Sequence, residues 1–180
     1  IRATQVGLFH LSIPSLKGLI VLNPDDKKDL IEKYRIKQNN MMVLGGIGLD
    51  LNEYSYSEPD INKARFIFVG RLLAEKGINE FLQAAEIIKA HHSKSEFVIL
   101  GLPDPGNPGS VSESYLNDLV KKGVVIYPGS VSNVTEWLKD SSVFVLPSYY
   151  REGVPRSTQE AMAIGRPIIT TDVPGCRETI

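Results

Sequence analysis

Two glutamates, Glu152 and Glu160, stand eight positions apart in the stretch Tyr149–Ile169, YYREGVPRSTQEAMAIGRPII. The second directly precedes Ala161, Met162 and Ala163, and a carboxylate at the edge of an apolar helix is costly unless something binds it. Two cations, Arg71 and Lys76, share a second stretch, Phe68–Gly77, FVGRLLAEKG. An arginine offers a planar fork to a phosphate and a lysine offers a point charge. Carboxylates accept hydrogen bonds from hydroxyls instead, and a glutamate inside a helix suits the paired hydroxyls of a ribose. The chemistry open to these four residues is the capture of a ligand that is phosphorylated in one part and hydroxylated in another.

Such residues need a frame, and the chain supplies one. Nearly continuous apolar, β-branched runs occur at 19–22, 41–44, 65–69, 96–100, 124–127, 143–146 and 167–171. Runs of this kind mark strands covered on both faces. Between them lie helical patterns at 78–90, 112–122, 133–140 and 156–164, and a charged helix is expected over 25–37 with Asn23 as its cap. Strand–helix alternation predicts an α/β fold with a doubly wound, Rossmann-like parallel sheet. In such sheets the loops at the strand carboxyl ends bind ligands, and both chemistry-bearing stretches are loops of that kind.

The second loop leads into a helix with Pro155 at its expected first position. That helix would aim its free N–H groups and positive dipole end at the same sheet edge. Gly153 would let a ligand approach the backbone, and Arg156 and Ser157 add donors. Residue types alone leave alternatives open. Arg71 and Lys76 are also compatible with a solvated loop, Glu152 with a helix cap, and Glu160 with an ion pair to Arg166. The GxxxxGK[ST] phosphate loop is absent.

The 180 residues are 42% hydrophobic and 23% charged, enough for a packed core, and a net charge of −1 argues against a nucleic-acid partner. The single cysteine, Cys176, excludes an internal disulfide. It reads as an inert, buried thiol. His91-His92 lie at a helix end and do not share a face, so they are not expected to hold a metal. Trp137 reads as core packing. No apolar run is long enough to cross a bilayer. Gly45-Gly46-Ile47-Gly48 reads as a joint, which divides the chain into residues 1–45, the tail of a preceding domain, and residues 46–180, most of a second one. The absence of an initial Met and the ending Cys176–Ile180, read as a helix's first turn, predict a piece of a longer protein. The Pro/Gly/Ser-rich loop 101–112 reads as mobile.

The motifs Gly70-Arg71-Leu72…Lys76-Gly77, Tyr127-Pro128-Gly129-Ser130-Val131, Glu152-Gly153-Val154-Pro155…Glu160-Ala161-Met162-Ala163 and Gly165-Arg166-Pro167, with Asp172-Val173-Pro174-Gly175…Glu178, occur in this order, mostly at strand ends. Together they resemble the C-terminal, donor-binding domain of GT-B glycosyltransferases of family 4, over about residues 40–180. The resemblance implies one domain of a two-domain retaining enzyme that uses a nucleotide sugar, UDP-linked by preference, without a metal or other cofactor. It implies that Arg71 and Lys76 hold the diphosphate, that Glu152 contacts the donor sugar, and that the amides of Gly153 and Val154 cradle the distal phosphate. Glu160 would hold the ribose, with Gly70 and Arg156 beside the donor, and Gly129, Ser130 and Val131 would border the base. No Asp-x-Asp motif is present, in keeping with metal independence. The wording of 153–179 is similar to bacterial members that extend polyprenyl-diphosphate-linked glycans, which implies a glycan or lipid-linked acceptor, a cytoplasmic location and peripheral contact at the inner membrane. The acceptor-binding domain would lie outside the chain, so the fragment alone is expected to be inactive. A sugar-nucleotide epimerase of the same fold and a non-catalytic α/β binding module are the alternatives. The module would carry an acidic pocket where Arg71 and Lys76 stand.

Overall fold

The computed structural model describes residues 2–180. Helix α1 (Arg2–Ser12) and a 3-10 turn (Ile13–Ser15) lead into β1 (Leu19–Val21), α2 (Pro24–Lys28), a π-helical turn (Asp29–Lys33) and β2 (Met41–Val43). No apolar periodicity marks α1 in the sequence, because its apolar residues Leu8, Phe9 and Leu11 are exposed rather than gathered on a buried face. The helix expected over 25–37 also ends early. Arg35 takes a left-handed backbone (φ 53°), and Ile36 turns inward to 4% exposure, so burial of Ile36 redirects the chain. β1 and β2 pair in parallel as a two-stranded sheet.

The larger sheet contains β3 (Arg65–Val69), β4 (Glu96–Leu100), β5 (Ile126–Gly129), β6 (Val143–Leu146) and β7 (Ile168–Thr170). Its order is β5-β4-β3-β6-β7 and every pair is parallel. α3 (Ile78–His91), α4 (Glu113–Lys121), α5 (Val134–Lys139) and α6 (Arg156–Ile164) alternate with these strands. β5 begins two residues later than the apolar run implies. Val124 is still tied to the end of α4 through its N–H to Leu119 O (2.9 Å), so the strand can pair only beyond it.

The sheet's centre is dry. Ile67, Phe68, Val98, Ile99 and Phe144 are fully buried, as are Leu82 and Ala85 on α3 and Leu116 and Leu119 on α4. Each large apolar side chain contributes about 1.5–3 kcal/mol through burial. Phe66 stacks on Phe97 with ring centroids 5.1 Å apart. Arg166 is 3% exposed and does not pair with Glu160. Its guanidinium donates to the carbonyls of Lys139 (3.1 Å), Ser141 (2.8 Å) and Ile164 (3.2 Å) and to Ser57, tying α5, α6 and the segment before β3 together. Burial pushes the Arg166 pKa down; these four carbonyls accept from its two terminal nitrogens, while Nε is buried without a partner among the described residues.

Strand order reverses direction between β3 and β6, the switch point beside which open α/β sheets carry their ligand-binding loops. The Arg71–Lys76 loop follows β3 and the Pro147–Pro155 loop follows β6. The tertiary structure therefore brings the two chemistry-bearing stretches to one place.

Candidate functional site

The two loops are stitched together through one carbonyl. Glu75 O accepts from Tyr149 N (3.0 Å), Tyr150 N (3.0 Å) and Ser148 Oγ (3.1 Å). Ser148 is fully buried, so this contact is sealed from water. A 3-10 turn (Ala74–Lys76) and Gly77, with φ 79°, bring the chain back toward α3. The 101–112 loop is anchored rather than loose. Ala74 N donates to Gly109 O (2.7 Å) and Val111 N to Leu72 O (3.0 Å), which supports the Arg71–Lys76 loop from its other side.

Lys76 and Glu152 meet. Lys76 Nζ donates to Glu152 Oε1, the Ser148 hydroxyl shares its single proton between that oxygen (3.2 Å) and Glu75 O, and the ammonium lies 5.5 Å from the Tyr150 ring centroid. Both charged side chains are largely enclosed, at 16% and 11% exposure. An ammonium has three donors, so Lys76 can hold Glu152 and still reach a phosphate. Arg71 is exposed and makes no ion pair among the described residues.

Glu160 is similarly anchored at one oxygen. Its Oε1 accepts from Arg156 Nε (2.8 Å) and from Tyr54 OH (3.0 Å), and the residue is 8% exposed. The i, i+4 spacing on α6 accounts for Arg156. Tyr54 comes from the segment before β3 and escaped the sequence reading, since a lone tyrosine among polar residues carries no periodic signal. Desolvation, followed by its hydrogen bond to Glu160, raises the Tyr54 pKa. In both glutamates Oε2 accepts no hydrogen bond among the described residues. A carboxylate fixed at one oxygen and open at the other suits hydroxyl recognition.

Pro155 occupies the cap of α6 rather than its first turn, with φ −62° and ψ 122°. A proline cap offers no side-chain acceptor, so the first N–H groups of α6 stay open to a ligand. Gly153 has a protein-side reason for being glycine, because a Cβ there would come within 2.5 Å of Leu22 Cδ1. Gly70, Arg71, Ser130 and Val131 line a crevice of about 520 Å³ with Leu102 and Val134, at the carboxyl ends of β3, β4 and β5. Gly129 ends β5, and its carbonyl accepts from Gly101 N (3.0 Å). A separate cavity of about 570 Å³ lies at the strands' opposite ends, where Arg65 is neutralised by Glu96 (2.8 Å) and Asp140 (3.0 Å).

The charged segment 25–33 pairs its three aspartates with distant arginines, while Glu32 stays exposed. Arg151 binds Asp26 and Asp29 (both 2.8 Å), and Arg177 binds Asp25 (3.4 Å). Cys176 is fully buried, and burial raises its pKa. Iodoacetamide is therefore expected to label the native protein negligibly and to label it fully in denaturant. Rapid labelling without denaturant would contradict this burial. Among the described residues no helix is long and apolar enough to cross a membrane, and no group of three or more His, Cys, Asp or Glu is placed to hold a metal.

A parallel sheet in this order, with alternating helices, defines a doubly wound α/β domain, and the cations, the α6 N-terminus and the anchored carboxylates gather at its switch point. The profile of the family "Glycosyl transferases group 1" matches residues 63–180, and the chain belongs to that family. It is 32% identical over 193 residues to the N,N'-diacetylbacillosaminyl-diphospho-undecaprenol alpha-1,3-N-acetylgalactosaminyltransferase of Campylobacter jejuni, covering all of this chain and 49% of that protein. It is 31% identical over 173 residues to an Escherichia coli UDP-Gal:alpha-D-GlcNAc-diphosphoundecaprenol alpha-1,3-galactosyltransferase, covering 87% of this chain and 43% of that one. The chain thus spans about half the length of the curated relatives it matches. Its fold is that of GT-B glycosyltransferases. Anabaena HepE, solved with UDP and glucose, superimposes with a TM-score of 0.78 at 16% identity over all of this chain and 51% of that one. A variant of Staphylococcus aureus TarM, solved with UDP among its ligands, gives 0.76 at 20% identity over 95% of this chain and 33% of that one.

Proposed function

We propose that this chain is the donor-binding half of a retaining glycosyltransferase that moves a sugar from a UDP-sugar to a glycan or polyprenyl-diphosphate-linked acceptor. The observation that carries this reading is the meeting, at the β3/β6 switch point, of the Arg71–Lys76 loop, the open N-terminus of α6 and two glutamates each anchored at a single oxygen. Relatives that act on diphospho-undecaprenol substrates support the acceptor class.

In this reading the base lies in the crevice lined by Gly70, Ser130 and Val131, beside Gly129. Glu160, held by Tyr54 and Arg156, offers Oε2 to the ribose. Arg71, Lys76 and the amides of Gly153 and Val154 receive the diphosphate. Their positive charge, with the α6 dipole, stabilises the leaving group as its negative charge grows, so a metal is not required. Glu152 offers Oε2 to hydroxyls of the donor sugar. Residues 1–45 belong to the tail of the acceptor-side domain and residues 46–180 to the donor domain. Action at the cytoplasmic face of the inner membrane, by peripheral contact, follows from the lipid-linked acceptor.

Calorimetry of UDP with the intact protein in EDTA tests the site. Binding is expected without metal, and Arg71→Ala and Glu160→Ala are each expected to weaken it by about tenfold or more, the usual loss for a hydrogen bond to a charged group. Unchanged affinity in both variants would remove the assignment.

A further inference from the structure

Asn23 is fully buried and lies 129 and 130 positions from the residues it bonds on the β6–α6 loop. Its Oδ1 accepts from Asp26 N (2.7 Å), which caps α2 as the sequence predicts. Its Nδ2 does something that the sequence does not announce. Its two protons are shared among three acceptors, Glu152 O (3.1 Å), Gly153 O (2.9 Å) and Asp26 Oδ2 (2.9 Å).

Two successive carbonyls gathered on one amide constrain the peptide planes that contain them. A trans peptide is planar, and its N–H points opposite to its C=O. No cis peptide occurs among the described residues. With Glu152 O and Gly153 O both turned to Asn23, the N–H groups of Gly153 and Val154 face the other way. Neither N–H donates to an acceptor among the described residues. Successive N–H groups facing one side form an anion-binding concavity, here adjoining the N-terminus of α6.

The carbonyl side is walled. Gly175 has φ 87°, and a Cβ there would come within 2.7 Å of Gly153 O, so only glycine allows this approach. Leu22 fills the space beside Gly153, and Arg151 holds Asp26 and Asp29 from the same loop.

We infer that Asn23 is a positioning residue for the donor diphosphate: by holding the carbonyls of Glu152 and Gly153, it presents the Gly153 and Val154 amides to the distal phosphate. This rests on the donor-site reading above, and it adds a residue from the first 45 positions to a site built otherwise from the larger sheet.

The test compares UDP with UMP, which lacks the distal phosphate, by metal-free calorimetry on the intact protein. Asn23→Ser keeps an oxygen for the α2 cap and removes the amide donor. UDP affinity is expected to fall about tenfold while UMP affinity stays within about twofold. Equal losses for both ligands, or no loss for either, would overturn the inference. Should the variant not fold, amide NMR of the wild type decides. UDP is expected to shift the Gly153 and Val154 N–H signals strongly and UMP is not, and identical shifts from the two ligands would sink the idea. A wild type that binds UDP no better than UMP would fail the donor-site reading itself. A wild-type preference for UDP that Asn23→Ser retains would remove only the role of Asn23.

Discussion

Lys76→Met is expected to lower sugar transfer by about 10²–10³-fold and to destabilise the protein by about 2–4 kcal/mol, whereas Lys76→Met with Glu152→Gln restores most of the stability and none of the transfer. The two losses have different origins. The stability loss comes from Glu152, whose side chain is 11% exposed and would keep only a Ser148 hydroxyl proton that it shares with Glu75 O after Lys76 is removed. A buried carboxylate without its cation is costly, and conversion to a neutral amide relieves that cost. In the proposed donor site, the transfer loss comes from the departing diphosphate, which would shed its charge onto one cation instead of two. Thermal unfolding and steady-state transfer assays on the intact protein carrying the single and double variants separate the two effects. A double variant that regains transfer would show that Lys76 serves only to neutralise Glu152.

Gly77→Val should be the most damaging single change to the fold near the site, with a loss of about 3 kcal/mol or more. Gly77 has φ 79°, a region that β-branched residues avoid. A Cβ there would also come within 2.5 Å of the Pro147 carbonyl carbon, and backbone cannot swing aside as a side chain tip can. This position joins the β3 loop to α3 just where the β6 loop crosses it. The variant is expected to unfold at markedly lower denaturant, and nucleotide affinity is expected to fall in whatever remains folded. A midpoint near that of the wild type would mean that the two loops can separate cheaply.

Several features were legible in the chain itself. β3, β4 and β6 fall at the expected residues because a buried parallel strand must be a nearly unbroken apolar run, and each run is bounded by Gly, Pro or polar residues. Helices α3 and α6 follow from helical spacing and from glycine at their ends, where Gly77 and Gly165 take positive φ. The four charged residues proposed for the donor site stand out in the chain because Arg71, Lys76 and Glu152 lie in loops that follow strands and Glu160 interrupts the apolar side of the next helix. The boundary of β5 and the break after Lys33 were not legible, since each depends on what packs against the segment.

Residue types and spacing thus determined the parallel α/β architecture, the strand-end loops and the charges those loops bring. Only the tertiary structure decided the partners: Lys76 with Glu152, Glu160 with Tyr54 and Arg156 rather than Arg166, and Asn23 with the carbonyls of Glu152 and Gly153. The physical reason is range. Periodicity and capping act over a few residues and are written locally, whereas a buried charge or amide must find its partner among whatever the folded chain brings within about 3 Å, regardless of separation along the sequence.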